Sequence, residues 1–143
     1  MKMPIEGLSC ERLEKELNKD PQRKYGAPRD NGARKHQGLD ICGIKGQKIY
    51  TIKRGKVSHI SSFYRNTYYI EIDLGGGWFH GYGEVMPPPH IFVKVGDIVE
   101  AGVVIGRMGK PLTSRPPMLH FEIWYSGFSQ DPIELLRKCE ARK

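Results

Sequence analysis

At 143 residues, with 38% hydrophobic and 27% charged side chains, the chain has the size of one domain with its own core. No apolar run approaches the roughly 20 residues that cross a bilayer as a helix, so a membrane-spanning helix is excluded. The formal charge of +7 is spread along the chain and not gathered in a tail, which favours anionic partners in general. Nucleic acid is not expected among them, since no helix-turn-helix, zinc-finger or RNA-recognition pattern is present.

The first residues, Met1 to Leu8, hold no apolar stretch that would serve as a signal peptide. That suits a chain that stays in the cytosol, is trimmed, or leaves by lysis or within a particle such as a phage virion. Residues 9–19 read as a helix, with Ser9 as N-cap and Leu13 and Leu17 on one face. Residues 20–35 read as loop. Their Arg23, Lys24, Arg29, Arg34 and Lys35 form either a solvated stretch or the basic rim of a groove.

From His36 onward the pattern is β. Residues 48–52 and 56–60 read as strands about a turn at Gly55. Residues 68–74 alternate, with Tyr68, Ile70, Ile72 and Leu74 on one face, and return through Gly75-Gly76-Gly77 into 78–82. Residues 93–99 and 103–106 read as a further strand-turn-strand unit. A proline-containing loop over 110–117 leads into a strand from Met118 to Trp124. On it Leu119, Phe121 and Ile123 face the core, and Met118, His120, Glu122 and Trp124 face the other side. A last helix opens at Asp131-Pro132-Ile133-Glu134, with Asp as N-cap and Glu closing a capping box. The three cysteines, Cys10, Cys42 and Cys139, form no C-x-x-C pair and read as free thiols; a Cys10–Cys139 bridge is the alternative. Cys42 shares the face of Asp40 and reads as a small buried residue.

Two stretches carry the chemistry. In His36-Gln37-Gly38-Leu39-Asp40 an imidazole and a carboxylate four positions apart can face one cation if the chain folds back. His120, arriving on a distant strand, completes three protein ligands and leaves an open position, the arrangement of a catalytic zinc. The plainer alternative is a surface histidine near a turn aspartate.

H-Q-G-L-D, then V-K-V-G-D-I-V-E-A-G-V-V-I-G-R-M-G, then M-L-H-F-E-I-W resemble the M23 peptidases, the lysostaphin or LytM-type peptidoglycan endopeptidases, over roughly residues 34 to 125. The resemblance implies a mainly β fold, a single M23-like domain built on an antiparallel sheet with short N- and C-terminal helices. It divides the chain into an extension over 1–33, a core over 34–126 and a C-terminal helix over 127–143. It implies Zn2+ on His36, Asp40 and His120. The family's two assisting histidines align with Met118 and Glu84, so Glu84, helped by His80, is the expected acid/base group. Tyr82, Met118 and Glu122 are expected to line the substrate groove. Peptidoglycan, or another anionic or peptide ligand, is the expected partner, with glycine-containing or peptide cross-bridges as substrate. Proteins of a larger assembly are a further partner class.

Two other readings stay open. A member without its assisting histidines could be a pseudoenzyme that keeps zinc as a structural clip and uses its groove to bind. The glycine turns also resemble biotinyl/lipoyl domains, but Met108-Gly109-Lys110-Pro111 is a poor match for a modified lysine at a hairpin tip.

Overall fold

The computed structural model describes residues 1–110 and 115–142. The element order is helix α1 (Cys10–Lys19), strands β1 (Pro28–Arg29), β2 (Arg34–Lys35), β3 (Leu39–Cys42), β4 (Lys48–Tyr50), β5 (Gly55–Ser62), β6 (Tyr68–Gly75), β7 (Trp78–Val85), β8 (Ile98–Val99), β9 (Val104–Arg107), β10 (Met118–Tyr125) and β11 (Phe128–Gln130), and helix α2 (Ile133–Ala141). The fold is mainly β, with antiparallel pairing throughout the described sheets and a short helix near each end.

The main sheet runs β11-β10-β7-β6-β5-β8, and β3 also pairs with β10. Strand β10 is its organising element. One edge is zipped to β7, while the other is shared end to end: β3 takes residues 118–121 and β11 takes 123–125. The apolar row is the reason this strand sits centrally. Leu119, Phe121 and Ile123 are buried against Leu39, Ile41, Ile70, Ile72 and Tyr82. Each such side chain contributes about 2 kcal/mol of burial, and a slip of one residue would turn the whole row to the opposite face.

Helix α1 forms as its sequence dictates. The Ser9 hydroxyl accepts from Arg12 N, and Leu13 and Leu17 are buried. Helix α2 starts later than expected. Asp131 Oδ1 accepts from Ile133 N, but Pro132 takes the cap position, and Glu134 pairs with Arg137 and closes no capping box.

Two expected hairpins are not hairpins. Strand β4 pairs with β9, while β5 pairs with β6 and β8. Gly55 is no turn residue: it lies in β5 opposite Val99. Likewise β8 and β9 diverge, because Gly96 and Gly102 adopt left-handed backbone, with φ of 99° and 86°, and turn the chain sharply on either side of β8. Val93, Val99 and Ile105 are buried, while Val95 is exposed.

The 20–35 segment is also more ordered than a loop. It holds a 3-10 turn at Pro21–Arg23 and the small β1–β2 hairpin. Of the proline loop expected over 110–117, residues 111–114 lie outside the described residues. None of the three cysteines forms a disulfide; Cys10 and Cys139 are buried, and Cys42 is half-buried, not buried as expected. No helix among the described residues is long and apolar enough to cross a membrane.

Candidate metal centre

Three separate pieces of backbone deliver the candidate ligands. The β1–β2 hairpin sets His36: its N–H donates to Ala27 O at 2.7 Å, and its carbonyl accepts from Gly26 N at 2.7 Å. Strand β3 sets Asp40, and β10 sets His120 directly opposite it in the antiparallel register. The spacing that joins His36 to Asp40 works because Gly38 lies between them. A Cβ there would fall 2.7 Å from His120 Cε1 and 2.8 Å from Phe121 O. Only a residue without a side chain lets the chain pass under the second imidazole.

The polar atoms converge tightly. His36 Nε2 is 3.2 Å from His120 Nδ1 and 3.3 Å from Asp40 Oδ1, and His120 Nδ1 is 3.0 Å from the same oxygen. All three residues are buried. The outer ring nitrogens decide what the inner ones offer. His36 Nδ1 lies 2.9 Å from Lys24 O, which can only accept, so Nδ1 carries the proton and Nε2 points its lone pair inward. His120 Nε2 lies 2.7 Å from Glu122 Oε2, so it donates there and Nδ1 faces inward. Two imidazole lone pairs and a carboxylate oxygen therefore meet at one point. An extra proton on His120 satisfies part of that cluster; a cation satisfies all of it. The donor set, two imidazoles and one carboxylate, is that of a catalytic zinc site.

The electrostatics follow from the same contacts. Burial works against a charged His120, but the hydrogen bonds to Asp40 and Glu122 outweigh it and raise its pKa from 6.5 to about 9. Burial likewise opposes the Asp40 charge, yet His120 and His36 hold its carboxyl well below the usual range. Glu122 is buried and lowered chiefly by its bond to His120, against its own desolvation. It also accepts from Tyr69 Oη at 2.9 Å and Trp124 Nε1 at 2.7 Å through Oε1. Glu122 is therefore a brace for the His120 ring and not a free groove wall. Its tyrosine partner needs Gly81, where a Cβ would lie 1.8 Å from Tyr69 Oη.

These couplings give a stability signature for protein stripped of metal. A His120 pKa raised in the fold contributes stability that is fully present below about 6.5 and is lost as pH rises through about 9. In chelator, the melting temperature is expected to fall from pH 6 to pH 9. With saturating zinc the fall should be smaller, because cation and proton compete for one lone pair. An equal fall in both conditions would contradict the shared site.

Glu84 reaches the same cluster by an irregularity of β7. Tyr68 pairs with Val85 and Ile70 with Tyr82, so Gly83 and Glu84 together oppose one residue of β6. Glu84 adopts left-handed backbone, with φ of 60°. This bulge re-aims its side chain toward the ligands. Glu84 is 3% exposed, its Oε1 has no hydrogen-bond partner, and burial followed by the nearby Asp40 charge raises its pKa. It is not a solvent-facing turn residue.

Two expected site residues are elsewhere. His80 lies on the core face of β7, its ring edge-on to Phe121 with centroids 5.4 Å apart. Burial, helped by the charge of Lys53, lowers its pKa to about 3, so it is a neutral core residue. Tyr82 is fully buried, and its hydroxyl accepts from Ile52 N at 3.0 Å, so it lines no groove. Both have the strand parity of the core: Tyr82 pairs with Ile70 and His80 with Ile72, on the regular side of the bulge that frees Glu84. Met118 shares the His120 face but is 2% exposed.

Other residues at the site carried no signal in the sequence. Arg23, taken as part of a basic run, is buried and donates from Nη2 to Asp40 O at 3.1 Å. Arg115 places its guanidinium near both Asp40 and Glu84. The Phe63 ring lies 5.4 Å from that of His120 and 5.6 Å from that of Tyr69. Only their proximity in the fold marks these three.

Comparison with known proteins identifies the family. Residues 34–132, more than half of the chain, match Peptidase family M23. The chain belongs to this family. Among solved structures, the M23 chain is similar to LytU at 25% identity, covering 80% of this chain and 82% of that one with a TM-score of 0.68. It is similar to the catalytic domain of lysostaphin, an antimicrobial peptidase from Staphylococcus simulans, at 28% identity, covering 80% and 89% with a TM-score of 0.63. It is also similar to the catalytic domain of the prophage-encoded M23 protein EnpA from Enterococcus faecalis, at 25% identity, covering 76% and 85% with a TM-score of 0.63. No curated protein matches the chain.

Proposed function

We propose that this M23 chain binds one zinc ion on His36, Asp40 and His120 and cleaves peptide bonds in cell-wall peptidoglycan, with Glu84 as the acid/base group. The observation that carries the reading is the meeting of three inward acceptors beside a buried carboxylate with an unpartnered oxygen. Zinc supplies Lewis acidity, polarising a carbonyl and bringing the pKa of water toward about 7.

The protein's own groups do the rest. Glu122 locks the His120 tautomer, and the Lys24 carbonyl locks that of His36, so neither ring turns its lone pair away. Glu84 takes a proton from water at Oε1 and later gives it to the leaving amine. Its raised pKa brings it nearer the working range of a general base. Met118 can neither move a proton nor stabilise an anion, which separates this cleft from the family pattern read in the sequence. Such a gap also suits the second reading, a zinc-stabilised pseudoenzyme that binds wall peptides without cutting them.

One paired measurement separates them: zinc content of the purified protein, and release of peptide from purified peptidoglycan by the same sample. Zinc near one per chain with release is the expected result. Zinc without release would leave the binding reading standing in place of the hydrolase. Absence of zinc after exposure to excess metal would remove both.

A further inference from the structure

Arg115 extends the peptidase reading of the cleft, on which its role rests. Met118 occupies the position where the family pattern has a histidine, and a thioether donates no hydrogen bond. The guanidinium of Arg115 lies over it, with Nη2 3.9 Å from Met118 Sδ. The same Nη2 is 3.8 Å from Asp40 Oδ2, and Nη1 is 3.9 Å from Glu84 Oε1. Closed charge-assisted bonds run at about 2.7–2.9 Å, so neither contact is a closed bond. The fork stands between two carboxylates, and among the described residues its one side-chain hydrogen bond is the long, weak one from Nη2 to Met118 Sδ. Its side chain is 32% exposed, while those of Asp40 and Glu84 are 4% exposed, so an entering ligand meets Arg115 first.

We propose that Arg115 is the oxyanion-binding residue of this cleft, its Nη–H groups receiving the oxygen of the scissile carbonyl in place of the imidazole absent at Met118. The step balances with groups already named. Water loses a proton to Glu84, and its oxygen adds to the carbonyl carbon. The C=O π pair moves to the carbonyl oxygen, which Arg115 holds. That pair returns as the C–N bond breaks, and the leaving nitrogen takes the proton from Glu84. The products are a carboxylic acid and an amine. A planar fork of donors suits an oxygen gaining charge better than the flexible point charge of a lysine.

The test uses zinc-loaded wild type, Arg115→Ala and Arg115→Lys. Binding is measured by calorimetry to a glycine tetrapeptide and to the same peptide with its central amide replaced by a phosphinate. Wild type is expected to favour the phosphinate. Arg115→Ala should lower that preference about tenfold or more, with zinc stoichiometry and binding of the neutral peptide unchanged. Arg115→Lys, which keeps the charge should the alanine variant fold poorly, should fall between them. A preference that survives in Arg115→Ala, or is absent from wild type, overturns the assignment. An Arg115-dependent preference in a protein that releases no peptide would uphold Arg115 as the oxyanion site and defeat the hydrolase reading alone.

Discussion

Replacing His120 by alanine is expected to abolish stoichiometric zinc binding. The residue supplies one of three inward atoms, and the remaining pair, His36 Nε2 and Asp40 Oδ1, would hold a divalent ion with two protein contacts. The change also strips Glu122 of one partner in a buried setting. Loss of a single buried charge-assisted partner costs about 1–3 kcal/mol, softened here because Tyr69 and Trp124 still donate to the carboxylate. Metal content by elemental analysis and the zinc-induced rise in melting temperature read the two effects separately. Wild type should gain stability as zinc saturates the folded state, and His120→Ala should gain none. His59→Ala, a change at an exposed histidine of β5, is the control that should keep full zinc content. Zinc near one per chain in His120→Ala would refute the ligand assignment.

Changing Glu84 to glutamine should leave zinc in place and lower hydrolysis by about 10²- to 10³-fold, within the range usual for a general base. The amide is nearly the same size as the carboxylate and suits the same bulge, so the fold has little to lose. It cannot accept the proton of water. Stability is expected to hold or rise, because the carboxylate is buried without a hydrogen-bond partner on Oε1 and lies in the field of Asp40. Rates of peptide release with metal content measured on the same samples decide the matter. Unchanged release would exclude Glu84 as the base. His80→Gln, by contrast, should leave catalysis unchanged, as that ring packs on the far face of the strand.

The sequence carried the three clustered side chains further than the assisting groups, for a physical reason. His36, Asp40 and His120 sit in short motifs whose local spacing is fixed by one hairpin exit and one strand, and their register follows from the apolar row Leu119, Phe121 and Ile123. Glu84 was found by alignment of its motif, but its burial was not, since a bulge leaves no mark in a period-2 pattern. The same bulge explains the error at His80 and Tyr82. Regular alternation puts these two and Glu84 on one face, and the extra residue at the bulge separates them. Strand partners were harder again. Gly55 was read as a hairpin tip, yet nothing local tells whether a glycine turns a chain back on itself or sends it to another sheet. Arg115 could not be singled out among the chain's many cations, because its role depends on a fold-level meeting with Asp40 and Glu84.

The left-handed backbone at residue 84 bears on how the chemistry of this cleft could change hands. Direction there is set by main-chain geometry, so whatever side chain occupies the position is pointed at the ligands. Left-handed φ is tolerated best by glycine and next by asparagine, aspartate and histidine, and is costly for valine, isoleucine or threonine. Exchange of glutamate for histidine is thus open at little conformational expense, whereas β-branched residues are barred. The frame and the reagent it carries are separable, and a lineage could swap one without rebuilding the other.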